Sequence, residues 1–132
     1  MTEPGAALIA VFTILIIKHF VCDYPLQTRW QLLNKGTYGH PGGIVHAGIH
    51  ALATTIAFLV MTPSFVVGLA IVAGEFVVHY HIDWTKENFI RRMGWTAQDG
   101  QFWLALGTDQ LAHHLTYVAI AAVLFWATFG QS

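Results

Sequence analysis

Read by polarity alone, the chain is four apolar blocks separated by polar stretches, over about 5–23, 44–61, 65–83 and 102–129. Each block is close to the roughly 20 residues that a helix needs to cross a bilayer. A closed β-barrel is the other way to span a membrane, and it requires apolar and polar residues to alternate. No block does so. The pattern predicts an all-α fold, an integral membrane four-helix up-down bundle.

The connection between the second and third spans is a few residues around Pro63, which makes those helices antiparallel neighbours. The other two connections are longer, and each carries apolar residues at helical spacing. Leu26, Trp30 and Leu33 form one set, with Gly36 placed as a C-terminal stop. Phe89, Ile90 and Met93 form the other, flanked by Trp84 and Trp95. They predict two short helices lying at the interface, over about 26–34 and 86–93, with tryptophans in the headgroup layer.

Length and composition narrow the picture further. A chain of 132 residues makes one domain, 1–132. Only 10% of it is charged, against roughly 25% in ordinary soluble proteins, and mean hydropathy is +0.55. Net charge is −1 with no basic stripe, which leaves nucleic-acid binding without a basis. Cys22 is the only cysteine, so neither an internal disulfide nor a thiolate cluster can form. Glu3 stands where a signal peptide would be basic, so the first span is expected to persist. Arg29, Lys35, Lys86, Arg91 and Arg92 all fall in the two long connections, while the termini and the short turn carry no lysine or arginine. The positive-inside rule then puts both long connections and the interfacial helices on the cytoplasmic side, and both termini outside.

Against this apolar background the ionisable residues stand out. The spans carry, in order, His19 and Asp23, His46 and His50, His79 and Asp83, and Asp109 and His113. Each pair has i, i+4 spacing, which puts both side chains on one helical face. The pairs lie near the C-terminal ends of spans one and three and the N-terminal ends of spans two and four. In an up-down bundle those ends share a side, so all eight side chains can meet in one layer. Ionisable groups in lipid are costly and by default mark a function. Five histidines and three aspartates make an N/O ligand set, too large for one tetrahedral zinc but suited to two divalent cations. Zinc is preferred, with manganese or iron as alternatives. Asp–His pairs locking the helices together without metal is the competing arrangement, and bis-histidine haem would leave the aspartates idle.

The remaining polar residues sort by angle. At about 100° per residue, His81 points away from His79 towards headgroups or a neighbour. His114 is a poorer partner for Asp109 than His113 and could support a ligand from behind. His40 reads as a turn element. Glu75, one turn before His79, is expected to orient an imidazole, act as a general base or relay protons. Lys18 is expected to snorkel to the interface, with a salt bridge inside the site as the second alternative.

His19-x3-Asp23-x3-Gln27 with Lys35 downstream, His46-x3-His50, His79-x3-Asp83-x2-Lys86 and Asp109-Gln110-x2-His113 resemble a small bacterial and phage membrane-protein family, domain of unknown function 3307. The resemblance covers roughly residues 19–113. It implies a bacterial inner-membrane location and adds Gln27, Lys86 and Gln110 to the expected site. More loosely, the pattern is similar to membrane-bound metal-dependent hydrolases, which implies hydrolytic chemistry by analogy.

The leading expectation is thus a two-metal hydrolase facing the cytoplasm and cleaving an ester or phosphoester, with Glu75 or a non-bridging aspartate as base and Lys86 with Arg91 or Arg92 attracting an anionic lipid headgroup. The second is a non-catalytic, metal-stapled accessory subunit of a larger membrane complex or homo-oligomer. Small residues at Ala47, Ala51, Ala70 and Gly74 would permit close helix contact in such an assembly. A metal or proton carrier is the third.

Overall fold

The computed structural model describes residues 3–130. The expected domain 1–132 extends two residues past these at either end, and those four lie outside the described residues. Helix α1 spans Pro4–Asp23, α2 Arg29–Asn34, α3 Pro41–Ala53, α4 Phe65–Met93 and α5 Gly100–Phe129, with a 3-10 segment at Thr54–Leu59 following directly on α3. No strand occurs among the described residues. Four helical stretches are long and apolar enough to cross a membrane, the 3-10 segment completing the second.

Local chemistry sets the boundaries. Proline at the first helical position starts α1 and α3, where its missing N–H costs nothing. A reciprocal capping box opens α2, in which the Thr28 hydroxyl accepts from Gln31 N–H and the Gln31 side chain accepts from Thr28 N–H at 2.8 Å. His40 is indeed a turn element, its Nδ1 accepting from Gly42 N–H at 3.0 Å as the α3 cap. Ser64 caps α4, and Gly94 ends it in the left-handed region at φ 67°, with Arg91 and Arg92 in the last turn where the helix dipole favours cations.

Two expectations about the connections change. Residues 86–93 are not a separate interfacial helix but the last turns of α4, because nothing between Asp83 and Gly94 breaks a helix. The first interfacial helix is present but shorter, at Arg29–Asn34. Gly36 does not stop it by a left-handed turn; a β-carbon there would lie 2.9 Å from Glu87 Cβ, so the glycine is what lets this connection lie against α4. The carbonyl of Gly36 accepts from Asn88 at 2.7 Å and Arg91 at 3.2 Å, fastening it there.

The four spans form a closed ring in which α1 adjoins α3 and α5, and α4 adjoins α3 and α5. The ring has two chemically distinct halves. One is an apolar core of Ala7, Val11, Leu15, Ala57, Met61, Ile71, Tyr117, Ile120, Ala121 and Leu124. The other is filled by buried His, Asp and Lys side chains. Outward positions such as Ile9, Phe65, Leu104 and Trp126 are exposed and apolar, as a lipid-facing surface must be. In lipid, apolar burial does not drive helices together, so packing and polar contacts must do so. Ala47 and Ala51 are buried inside the ring, whereas Ala70 and Gly74 face outward.

Candidate metal centre

The polar half is assembled from four ladders of residues spaced by four. Helix α1 supplies His19 and Asp23, α3 supplies His46 and His50, α4 supplies His79 and Asp83, and α5 supplies Asp109 and His113. All eight come together as a single cluster. His50 is fully buried, and His46, His79 and His113 are at most 2% exposed.

Two carboxylates organise the cluster. Asp23 Oδ1 lies 3.1 Å from His50 Nε2 and 3.3 Å from His46 Nε2, while its Oδ2 lies 3.1 Å from His19 Nε2. Asp83 Oδ2 lies 3.1 Å from His46 Nε2 and 3.4 Å from His79 Nε2. Its Oδ1 lies 3.5 Å from His113 Nε2, which is in turn 3.7 Å from Asp109 Oδ1. Asp83 therefore offers one oxygen to each of two neighbouring sets of ligands.

Several of these atoms are close without being hydrogen-bonded. Both ring nitrogens of His79, Nε2 of His46, Nδ1 of His50, Oδ2 of Asp83 and Oδ1 of Asp109 are buried with no hydrogen-bond partner. A buried polar group left unpaired costs roughly 1–3 kcal/mol, so a concentration of them needs a compensating partner. A cation fits the spacing: ligands held at about 2.0–2.1 Å around zinc stand roughly 3.3 Å apart. Two ligand groups that share no residue could each hold one, Asp23–His46–His50–His79 and Asp83–Asp109–His113, with ligand atoms in each group within 4.8 Å of one another. A third, overlapping combination is His19–His79–His113.

Other expected site residues take varied places. His19 already has partners at both nitrogens, Tyr117 Oη at 2.7 Å and Gln110 Oε1 at 3.1 Å. Gln110 also donates to Asp109 Oδ2 at 3.2 Å, tying α1 to α5 through the cluster's edge. Gln27 turns back to the Asp23 carbonyl. His114 is exposed, with its ring centroid 5.9 Å from that of His19, because one helical step carries it off the face of His113. His81 is also exposed, 3.2 Å from Tyr38 Oη.

Glu75 departs from its expected role as a base, and Lys18 takes the salt bridge that was the alternative to snorkelling. Lys18 does not snorkel; it is buried, donates to the His50 carbonyl at 2.9 Å and pairs with Glu75. The other Glu75 oxygen accepts from Thr54. With both oxygens engaged, Glu75 is not placed to act as a free base. A lysine in mid-helix cannot reach water when a carboxylate on the facing helix offers a nearer partner.

Two residues escaped the sequence reading, and a third, Lys35, stands in the family pattern without a partner. Thr54 lies four after His50 and Tyr117 four after His113, so extending each ladder by one step would have found both. Lys35 is buried with Nζ 3.5 Å from Asp83 Oδ1, and its position in a connection gave no such signal.

On the α4–α5 flank the cluster meets a groove of about 540 Å³. Its walls are largely apolar, including Val78, Ile82, Phe89 and Leu104, and it reaches Asp109 and Lys86. Lys86 Nζ is 2.6 Å from Glu87 Oε1.

The chain belongs to the family described as Protein of unknown function (DUF3307), whose model matches residues 11–131. Neither a curated protein nor a solved structure matches it.

Proposed function

We propose that this member of the DUF3307 family is a multi-pass membrane metalloenzyme that uses two divalent cations to hydrolyse an ester or phosphoester at the cytoplasmic face of the bacterial inner membrane. Its spans would run up-down-up-down, since the C-terminal parts of α1 and α4 and the N-terminal parts of α3 and α5 supply one layer. The observation that carries the reading is the contact between the ligand set and a cavity at Asp109. Structural metal sites are closed by their ligands, whereas catalytic ones keep a position open.

In this reading Asp23, His46, His50 and His79 hold one cation, and Asp83, Asp109 and His113 the other. Zinc suits the imidazole-rich set best, with manganese or iron as alternatives. His19, bonded on both sides, orients Asp23 rather than ligating, and Gln110 positions Asp109. The cations would supply Lewis acidity at the reacting phosphoryl or carbonyl oxygen. Water provides the nucleophilic oxygen; its bond to phosphorus or carbon forms as the bond to the leaving alcohol breaks, and its proton ends on that alcohol. Asp109 lines the groove; its Oδ2, held by Gln110, would ligate, leaving Oδ1, which has no hydrogen-bond partner, to carry the proton between them. The looser likeness to membrane-bound metal-dependent hydrolases points the same way, by analogy.

The test is elemental analysis of purified protein with turnover of chromogenic ester and phosphoester lipids. About two divalent ions per chain, with turnover lost in a folded His50→Ala protein, is the expected result. Less than one ion per chain in an intact fold would overturn the metal reading.

A second reading has its own support. The half of the ring that holds the cluster contains little of the apolar core, so cations there would staple the helices of an accessory subunit. Loss of the fold itself in His50→Ala, with no turnover by the parent, would favour it. Against the carrier reading stands the apolar core in the other half of the ring, whose residues are at most 7% exposed and offer no carboxylate or imidazole.

A further inference from the structure

We infer that the groove between α4 and α5 binds a single-chain lipid with an anionic headgroup, admitted sideways from the bilayer. The inference deepens the hydrolase reading by naming its substrate class, and it rests on that reading for the charge at the groove's inner edge.

The groove exists because α5 presents small side chains where α4 presents larger ones. Ala105, Thr108 and Ala112 recur at helical spacing along its α5 wall, facing Val78, Ile82 and Phe89. Residues 101–112 and 78–89 would extend roughly 17 Å as helix, so the cleft is elongated along the bundle. Its volume of about 540 Å³ falls within the range of small-molecule sites, roughly 300–1,000 Å³. A helix about 10–12 Å across would not enter a cleft of that size. Trp95, whose ring lies 5.4 Å from that of Phe89, stands at one end, as tryptophan does in a headgroup layer.

Polarity selects the headgroup. The walls suit an alkyl chain, but Lys86, although 2.6 Å from Glu87, keeps ammonium donors that a purely apolar occupant such as a partner helix would leave without an acceptor from the groove. When loaded, two divalent cations outweigh Asp23, Asp83 and Asp109, and Lys35 and Lys86 add to them. The inner edge is then cationic and complements a phosphate. Without the cations the carboxylates prevail and an anion is repelled. A phosphomonoester lipid should accordingly bind only to loaded protein, whereas a neutral lipid with the same chain should bind equally with or without cations.

The experiment measures binding of fluorescent lysophosphatidate and of the matching monoacylglycerol to the full chain in phosphatidylcholine nanodiscs, before and after chelation. Loaded protein should bind the phosphate lipid at least about ten-fold more tightly than the neutral one, and chelation should reverse the order by abolishing binding of the phosphate lipid alone. Thr108→Phe should weaken both lipids by about ten-fold or more with metal content unchanged, and Ala112→Phe is the replacement plug should that variant misfold. Lys86→Gln should weaken the phosphate lipid alone. Wild-type binding by a folded plugged variant would overturn the proposal, as would equal binding of the two lipids to loaded protein. So would a plugged variant whose oligomeric state changes while lipid binding does not, since that would mark the groove as a seat for a second copy. If no divalent ion is bound but the plug still expels the neutral lipid, the groove stands as a lipid site, and the metal reading falls together with the preference for an anionic headgroup.

Discussion

The ammonium of Lys18 on α1 is paired with the carboxylate of Glu75 on α4, across the ring from one helix to a helix it does not otherwise adjoin. Both are buried at the seam between the apolar core and the histidine cluster. Removing one partner leaves an uncompensated charge, which in buried pairs costs about 3–5 kcal/mol. Lys18→Met and Glu75→Leu should each destabilise by roughly that amount, and the two combined should recover most of it. Thermal unfolding of the four proteins in one detergent measures this, and additive losses would show that the pair is not coupled.

His79 is the imidazole with neither nitrogen satisfied by the protein. His79→Ala should lower bound metal by about one ion per chain. His114→Ala and His81→Ala, which alter exposed rings outside the cluster, should leave the content unchanged. Metal quantification on the three proteins separates a ligand from a bystander, and equal loss in all three would count against the assignment.

Cation binding requires unprotonated imidazole, so the stabilisation that cations would give should be present where the cluster's imidazoles are unprotonated and be lost on acidification. Chelation at pH 8 should reproduce the acid effect. The loss should also be local, because the apolar core occupies the other half of the ring. Amide exchange should accelerate around His46 and Asp109 while the amides near Leu15 and Ala121 stay protected. Uniform acceleration along the spans would contradict that division.

Gly36 admits no β-carbon without disturbing Glu87 on α4. Gly36→Ala should cost about 1–3 kcal/mol by overpacking and displace the adjacent Lys35 from Asp83. The expected readouts are a lower melting temperature and weaker metal retention during dialysis. A change in melting alone would confine the effect to packing.

The spans were legible because lipid imposes a blunt rule on composition, and the ligand ladders were legible because helical spacing fixes a face. What was missed depends on partners remote in sequence. Nothing near Lys18 announces that Glu75 faces it 57 positions away, and nothing near Lys35 announces Asp83. Thr54 and Tyr117 are a different case, since both continue visible ladders and were hidden only by carrying no charge. The extent of α4 was misjudged because polar residues after Asp83 resemble a loop by composition, although none of them breaks a helix.

Helix α4 runs unbroken for 29 residues, about 43 Å, against a hydrocarbon thickness of roughly 30 Å. The excess of about 13 Å makes it a lever whose shorter arm would lie beyond the bilayer and whose load is His79 and Asp83. Its basic tip at Arg91 and Arg92 also grips the α2 connection through Gly36. A protein or membrane surface that pulled on that tip would tilt two of the cluster's ligands at once, with no flexible joint between to absorb the motion.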